Sequence, residues 1–239
     1  MMQLRPYQVV GRDFLASRRF ALLADEMRVG KTAQAILAVA KAGARRTLVL
    51  CPAIAVPVWR EQWVQWRGLS APPVVMSYEK ALIEQDRLLA QEWDVIVLDE
   101  CHFAGNPEAK RTKMIYGKGG LAHCTQYLWA LSGTPAPKHA AELWPMLRAF
   151  GVVGMTYMEF VRRYCDFNEW TQRIEGTKVA RIPELKTLLA RVMLRRKRVD
   201  VAPEMPAIDF QFLEVEPTSK VDLRADVDTE RPLPQDLED

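Results

Sequence analysis

Phe20-Ala-Leu-Leu-Ala-Asp-Glu-Met-Arg-Val-Gly-Lys-Thr32 is a short apolar run that gives way to a polar loop and then to Gly30-Lys31-Thr32. From Ala33 to Ala42 the chain is rich in alanine, with Ile36, Leu37 and Val39 at helical spacing, so the whole stretch reads as strand, loop, helix. A loop at such a turn suits phosphate. Backbone N–H groups at the helix N-terminus hold the oxygens, Lys31 brings a positive charge, and Thr32 offers a hydroxyl to Mg²⁺. The full phosphate-loop pattern has a glycine where this chain has Asp25, so Gly30-Lys31-Thr32 needs support from elsewhere.

That support lies downstream. Thr47 to Cys51 is a second apolar strand, stopped by Pro52. Val58 to Trp66 carries Trp59, Trp63 and Trp66 on one helical face, a stripe suited to packing rather than to stacking on bases. Val74 to Met76 reads as a strand and Glu79 to Gln91 as a helix. Asp94 to Leu98 and Tyr127 to Leu131 are apolar strands that run into Asp99-Glu100 and Ser132-Gly133-Thr134-Pro135. The alternation predicts an α/β fold, a parallel sheet with helices on both faces and its ligand site beyond the carboxyl ends of the strands. An isolated Asp99-Glu100 would be a solvated strand end. Joined to Lys31 upstream and Ser132 downstream, Asp99 suits Mg²⁺ and Glu100 suits the attacking water. Residues of about 140–195 are predicted to be mainly helical. Ile208 to Phe212 alternates as a further strand, and the chain after Pro217 reads as a disordered tail.

Composition sets the frame for these motifs. The 239 residues are 49% hydrophobic and 26% charged, enough for a large core. No apolar run approaches the roughly 18 residues of a membrane span, and the N-terminus has no signal-like segment. The expectation is an intracellular protein, cytoplasmic in a prokaryotic or phage setting, with no membrane partner. Cys51, Cys101, Cys124 and Cys165 form no CxxC pair and read as reduced thiols, and Cys101-His102 lacks the second cluster a metal site needs. The net charge of +3 is uneven, because the segment from Glu216 onward holds 8 acidic and 3 basic residues. The remaining body is basic, which suits a phosphate backbone as partner.

The ordered segments resemble the motifs of Swi/Snf-type superfamily-two DNA translocases. The likeness is carried by Leu4-Arg-Pro-Tyr-Gln8, Ala24 to Thr32, Leu48-Val-Leu-Cys-Pro52, Met76-Ser-Tyr78, Leu98-Asp-Glu-Cys-His102, Leu131-Ser-Gly-Thr-Pro135 and Val192 to Val201. Glu142-Leu-Trp144 and Arg163-Tyr-Cys-Asp166 are most similar to the annealing-helicase branch. The resemblance implies a RecA-like first lobe over residues 1–201, including a helical insertion at 140–195. A linker and the start of a second lobe would follow at 202–217, then an acidic tail at 218–239.

It also implies roles. Gln8 would read adenine, and Asp25, Glu26, Met27, Arg28, Val29, Gly30, Lys31, Thr32 and Ala33 would surround the nucleotide. Thr32 and Asp99 would hold Mg²⁺, with Glu100 and Lys31 catalytic in ATP hydrolysis. His102, Ser132, Gly133 and Thr134 would couple hydrolysis to movement. Pro52, Ala53, Ser77, Tyr78, Lys110, Arg111 and Lys113 would touch double-stranded or branched DNA through its phosphates. Three positions depart from the family pattern: Arg28 and Gly105 replace a usual glycine and a frequent lysine, and Ile54 replaces a common serine. No Gln-x-x-Gly-Arg-x-x-Arg pattern occurs, so turnover would need a second RecA-like lobe from another chain or a longer protein. The rival reading is a non-motor module that holds ATP or DNA and regulates a partner. An RNA helicase lobe fits Arg5-Pro-Tyr-Gln8 and Met193-Leu-Arg-Arg196 less well.

Overall fold

The computed structural model of the chain describes residues 3–67 and 71–203. The first half of the chain forms α1 (Pro6–Ala16), β1 (Phe20–Leu23), α2 (Lys31–Lys41), β2 (Thr47–Cys51), α3 (Ala55–Arg67), β3 (Val74–Ser77), α4 (Tyr78–Ile83), α5 (Gln85–Leu89) and β4 (Trp93–Asp99). Then come α6 (Lys110–Tyr116), β5 (Thr125–Leu131), α7 (Trp144–Ala149), α8 (Tyr157–Tyr164), β6 (Cys165–Asn168), β7 (Arg173–Thr177), α9 (Ile182–Leu189), β8 (Met193–Leu194) and α10 (Arg198–Val201). Six strands make one sheet in the order β3-β2-β4-β5-β1-β8, and all its pairings are parallel.

Alternation along these strands divides the core in two. Leu22, Leu48, Leu50, Ile96, Leu98 and Leu128 face one side, and Ala21, Leu23, Val49, Val95, Val97 and Trp129 face the other. Both sets are fully buried. Such strands read as continuous apolar runs because helices cover both faces. Trp59 and Trp63 of α3 are 1% and 2% exposed, so the tryptophan stripe is packing.

Two elements differ from expectation. The helix predicted over Glu79 to Gln91 is broken at Glu84, where the backbone leaves the helical region between α4 and α5. The region 140–195 contains α7, α8 and α9 but also the antiparallel hairpin β6–β7, and β8 returns to the main sheet beside β1. The hairpin strands are short and mostly half-buried or exposed, so no alternating core pattern announces them. The strand predicted at Ile208 to Phe212, the linker and second-lobe start around it and the acidic tail lie outside the described residues.

Candidate functional site

The loop between β1 and α2 is shaped by two left-handed residues, Arg28 at φ +66° and Gly30 at φ +81°. A side chain at Gly30 has no room, because a Cβ there would lie 2.4 Å from Gln8 Nε2. Gln8 itself donates from Nε2 to the Val29 carbonyl at 3.1 Å and accepts from the Arg5 N–H at 3.0 Å. It therefore sits against the loop. Gly30 gives α2 no side-chain cap, so the first-turn N–H groups keep the positive end of the helix dipole open to an anion. Lys31 Nζ rests on the carbonyls of Asp25 at 2.9 Å and Glu26 at 3.2 Å. Burial pushes its amine below the usual lysine range, against the opposing pull of Glu100, Asp25 and Asp99. Val29 and Ala33 are buried, while Met27 and Arg28 are exposed.

The acidic pair ends β4, one strand removed from β1 in the sheet. Asp99 Oδ2 accepts from Trp59 Nε1 at 2.7 Å, Oδ1 accepts from the Glu100 N–H at 3.1 Å, and the Asp99 carbonyl accepts from Tyr78 at 2.8 Å. Burial pushes the Asp99 carboxyl above the usual aspartate range, and the Trp59 hydrogen bond works against that rise. Glu100 turns out of the strand at φ +48°. Its Oε2 accepts from Ser132 Oγ at 3.1 Å and lies 3.3 Å from His102 Nδ1. His102 Nδ1 and Ser132 Oγ are 3.1 Å apart, and Ser132 Oγ also accepts from the Thr134 N–H at 3.1 Å. The residues assigned to water activation and to coupling thus form one network joining the ends of β4 and β5.

Would Mg²⁺ fit here? No cluster of three or more His, Cys, Asp and Glu that could hold a metal occurs among the described residues. Mg²⁺ asks for less, one or two carboxylates plus substrate phosphates and waters. A half-buried carboxylate opposite Lys31, with its orientation fixed by Trp59, meets that need.

The proposed DNA residues also gather. Cys51 is in register with Ser77, so Pro52-Ala53 and Ser77 leave adjacent strands at the same edge. Ser77 caps α4 by accepting from the Lys80 N–H at 3.1 Å, and Arg111 of α6 reaches Glu79 of α4 at 3.6 Å. Lys110 and Lys113 are exposed, Lys113 pairing with Glu108 at 2.8 Å. Exposed pairs of this kind contribute roughly 0–1 kcal/mol, so a phosphate could displace the carboxylates at small cost.

Some assignments change. Tyr78 is 0% exposed with its hydroxyl spent on Asp99, so its side chain braces the acidic motif and cannot touch DNA. Asp25 is also 0% exposed, its carboxylate held by Arg196 at 2.5 Å and 3.0 Å, so it supports the loop from behind instead of facing a nucleotide. Gly105 has a physical reason: a Cβ there would meet Glu142 Cβ at 2.9 Å, which excludes the lysine common in the family. Sequence reasoning missed Trp59 and Arg196 as supporting residues. Trp59 read only as packing, and Arg196 is 171 positions from the carboxylate it holds.

A family model described as the SNF2-related domain matches residues 70–222, more than half of the chain. The chain belongs to the SNF2-related domain family. This SNF2-related lobe is 30% identical over 227 residues to the Caenorhabditis elegans homolog of SWI/SNF-related matrix-associated actin-dependent regulator of chromatin subfamily A-like protein 1. That alignment covers 85% of the lobe and 32% of the relative. The Drosophila melanogaster protein of that name is 29% identical over 238 residues, covering 90% of the lobe and 31% of the relative. The lobe therefore spans about a third of the length of these curated relatives. Among solved structures, the Sulfolobus solfataricus SWI2/SNF2 ATPase core in complex with dsDNA matches with a TM-score of 0.67 and 26% identity. The match covers 82% of the SNF2-related lobe and 45% of that chain. No described helix is long and apolar enough to cross a membrane.

Proposed function

We propose that this chain is the ATP-binding first lobe of a DNA-dependent ATPase that translocates on double-stranded or branched DNA, with a second RecA-like lobe completing its site. The observation that carries the reading is the network Glu100–Ser132–His102 facing Lys31 across the carboxyl edge of the sheet. Three loops distant in sequence bring Lys31, Glu100 and the Ser132–His102 pair to one edge, which supports the reading. Family membership supports it.

The geometry supports the following roles. Lys31 leaves the carbonyls of Asp25 and Glu26 to meet the phosphates, with the α2 N-terminus supplying N–H groups. Asp99 and Thr32 would hold Mg²⁺, which neutralises charge on the phosphate oxygens when bound. Glu100 Oε2, oriented by Ser132 Oγ, takes the position of the group that directs water. Stabilising the charge that develops in the transition state falls to arginines of the second lobe. DNA lies over Pro52-Ala53, Ser77 and α6, contacting phosphates, which allows movement without reading sequence.

The test is ATP hydrolysis measured with and without DNA, on this chain alone and with a candidate second lobe supplied. The expected outcome is little turnover alone and DNA-stimulated turnover with the lobe, abolished by Lys31→Ala and Glu100→Gln. Glu100→Gln should keep ATP binding, whereas Lys31→Ala should weaken it about 10- to 100-fold, the value of one charge-assisted contact. Tight ATP or DNA binding with no turnover under either condition would instead favour a non-motor binding module.

A further inference from the structure

The segment leaving β8 is stitched to the phosphate loop along its length. The parallel ladder begins with the Leu22 N–H on the Val192 carbonyl and the Ala24 N–H on the Leu194 carbonyl, each at 2.7 Å. It continues past the end of β1 into the loop, where the Glu26 N–H donates to the Arg196 carbonyl at 3.1 Å. Glu26 Oε2 then accepts from the Arg198 N–H at 2.8 Å. Arg195 extends the stitching to the neighbouring motif, its Nη1 donating to the Gly133 carbonyl at 3.2 Å.

Arg196 is the centre of this seam. Its backbone N–H donates to Asp25 Oδ1 at 3.1 Å and its Nε to the same oxygen at 3.0 Å. Nη2 pairs with Asp25 Oδ2 at 2.5 Å and reaches Gln34 Oε1 of α2 at 2.9 Å, while Nη1 donates to the Tyr7 carbonyl of α1. Asp25 and Gln34 are fully buried. Gly11 is what lets α1 close over the group, since a Cβ there would lie 1.7 Å from Gln34 Oε1 and 2.8 Å from Arg196 Nη2. The planar guanidinium presents donors to both carboxylate oxygens at once, a fit that lysine cannot reproduce.

The two loop residues held from behind are the same two whose carbonyls hold Lys31 from the front. We propose that Arg196 is a positioning residue for the phosphate loop, setting the shape from which Lys31 meets phosphate and linking nucleotide occupancy to residues 195–198. This rests on the ATP-binding reading above. Coupling of this kind is reciprocal: whatever fixes the exit segment changes nucleotide affinity, and nucleotide changes the protection of that segment.

A buried ion pair is a weak stabiliser compared with neutral partners of similar shape, so the fold and the positioning role are separable. The whole chain would be compared with Asp25→Asn/Arg196→Gln, which leaves no lone buried charge, and with Arg196→Lys, which keeps the charge but loses the fork. Three quantities would be read: affinity for a fluorescent ATP analogue with Mg²⁺, melting temperature, and hydrogen exchange over 192–201 with and without the analogue. The expected result is affinity about tenfold weaker in the double variant, a loss of the size that coupling through one network supports. Its melting temperature should stay near wild type, and the nucleotide-dependent protection seen at 195–198 in the wild type should vanish. Arg196→Lys should fall between the two, and it carries the test should the double variant fail to fold. Affinity within about twofold of wild type in the variant that folds, or a loss that merely tracks melting temperature, would overturn the proposal. Failure of the wild-type chain to bind the analogue at all would overturn the ATP reading instead, a distinct result.

Discussion

Arg28 shows how one residue can be tolerated where its backbone argues against it. At φ +66° it occupies the left-handed region, which costs a residue with a Cβ about 1–2 kcal/mol and a glycine almost nothing. Its side chain is exposed, so replacing it loses no buried contact. Arg28→Gly should raise stability by roughly 0.5–1 kcal/mol, net of the flexibility glycine adds to the unfolded chain, and should leave ATP-analogue affinity intact. Chemical denaturation and a binding titration check both halves. Asp99 makes the opposite bargain. Burial raises its carboxyl above the ordinary value of 3.8, so the folded protein disfavours the charge that Mg²⁺ needs. A raised folded value means that Asp99 contributes its stability in full below the unfolded value and loses it as pH rises through the folded one. Asp99→Asn should therefore melt higher than wild type at neutral pH, by roughly 0.5–2 kcal/mol, while losing Mg²⁺-dependent nucleotide binding. The advantage should shrink as pH falls toward 3.8, and melting curves across that range would expose an incorrect sign.

At the scale of elements, α8 shows how a helix that makes none of the phosphate-loop contacts carries stability of its own. The start of α8 is fixed by a capping box in which Thr156 accepts from the Glu159 N–H and Glu159 accepts from the Thr156 N–H at 2.7 Å. Thr156→Ala should cost about 1 kcal/mol and leave nucleotide affinity unchanged, a separation that paired melting and binding measurements would read. The hairpin β6–β7 is tied to the segment after Ser132-Gly133-Thr134 by the Ala140 N–H on Thr177 Oγ1 at 2.8 Å. That bond brings an element with no visible sequence signal beside one with a strong signal. The helix break at Glu84 has a similar origin. The apolar spacing of 79–91 satisfies one helix, but the packing of α4 on β3 and α6 and of Leu88 under the sheet is met by two short ones.

For the whole molecule the decisive property is that the candidate site residues lie along one sheet edge and the core lies elsewhere. DNA contacts at Lys110, Arg111 and Lys113 would be purely electrostatic, so affinity should fall with salt. Neutralising all three should reduce the log–log salt slope by about 2.7, at about 0.9 per phosphate contact. Binding isotherms at several salt concentrations would measure it, and an unchanged slope would place DNA on another face. ATP-analogue affinity should not move in that variant, because α6 makes none of the loop contacts.

Much of this was legible in the sequence. Apolar runs such as Thr47 to Cys51 and Asp94 to Leu98 declare themselves as buried parallel strands, because only strands covered on both faces lack polar alternation. Gly30-Lys31-Thr32, Asp99-Glu100 and Ser132-Gly133-Thr134 point to one candidate site, because each follows a strand of the same parallel sheet and all open at the same edge. What tertiary structure alone decided is which side chains face that edge. Tyr78 and Asp25 stand beside functional motifs yet point inward, while Trp59 and Arg196 come from distant elements to hold them. Local spacing fixes where the backbone turns. The direction of a polar side chain depends on which partner can satisfy it once water is excluded, and that partner exists only when the chain has closed around it.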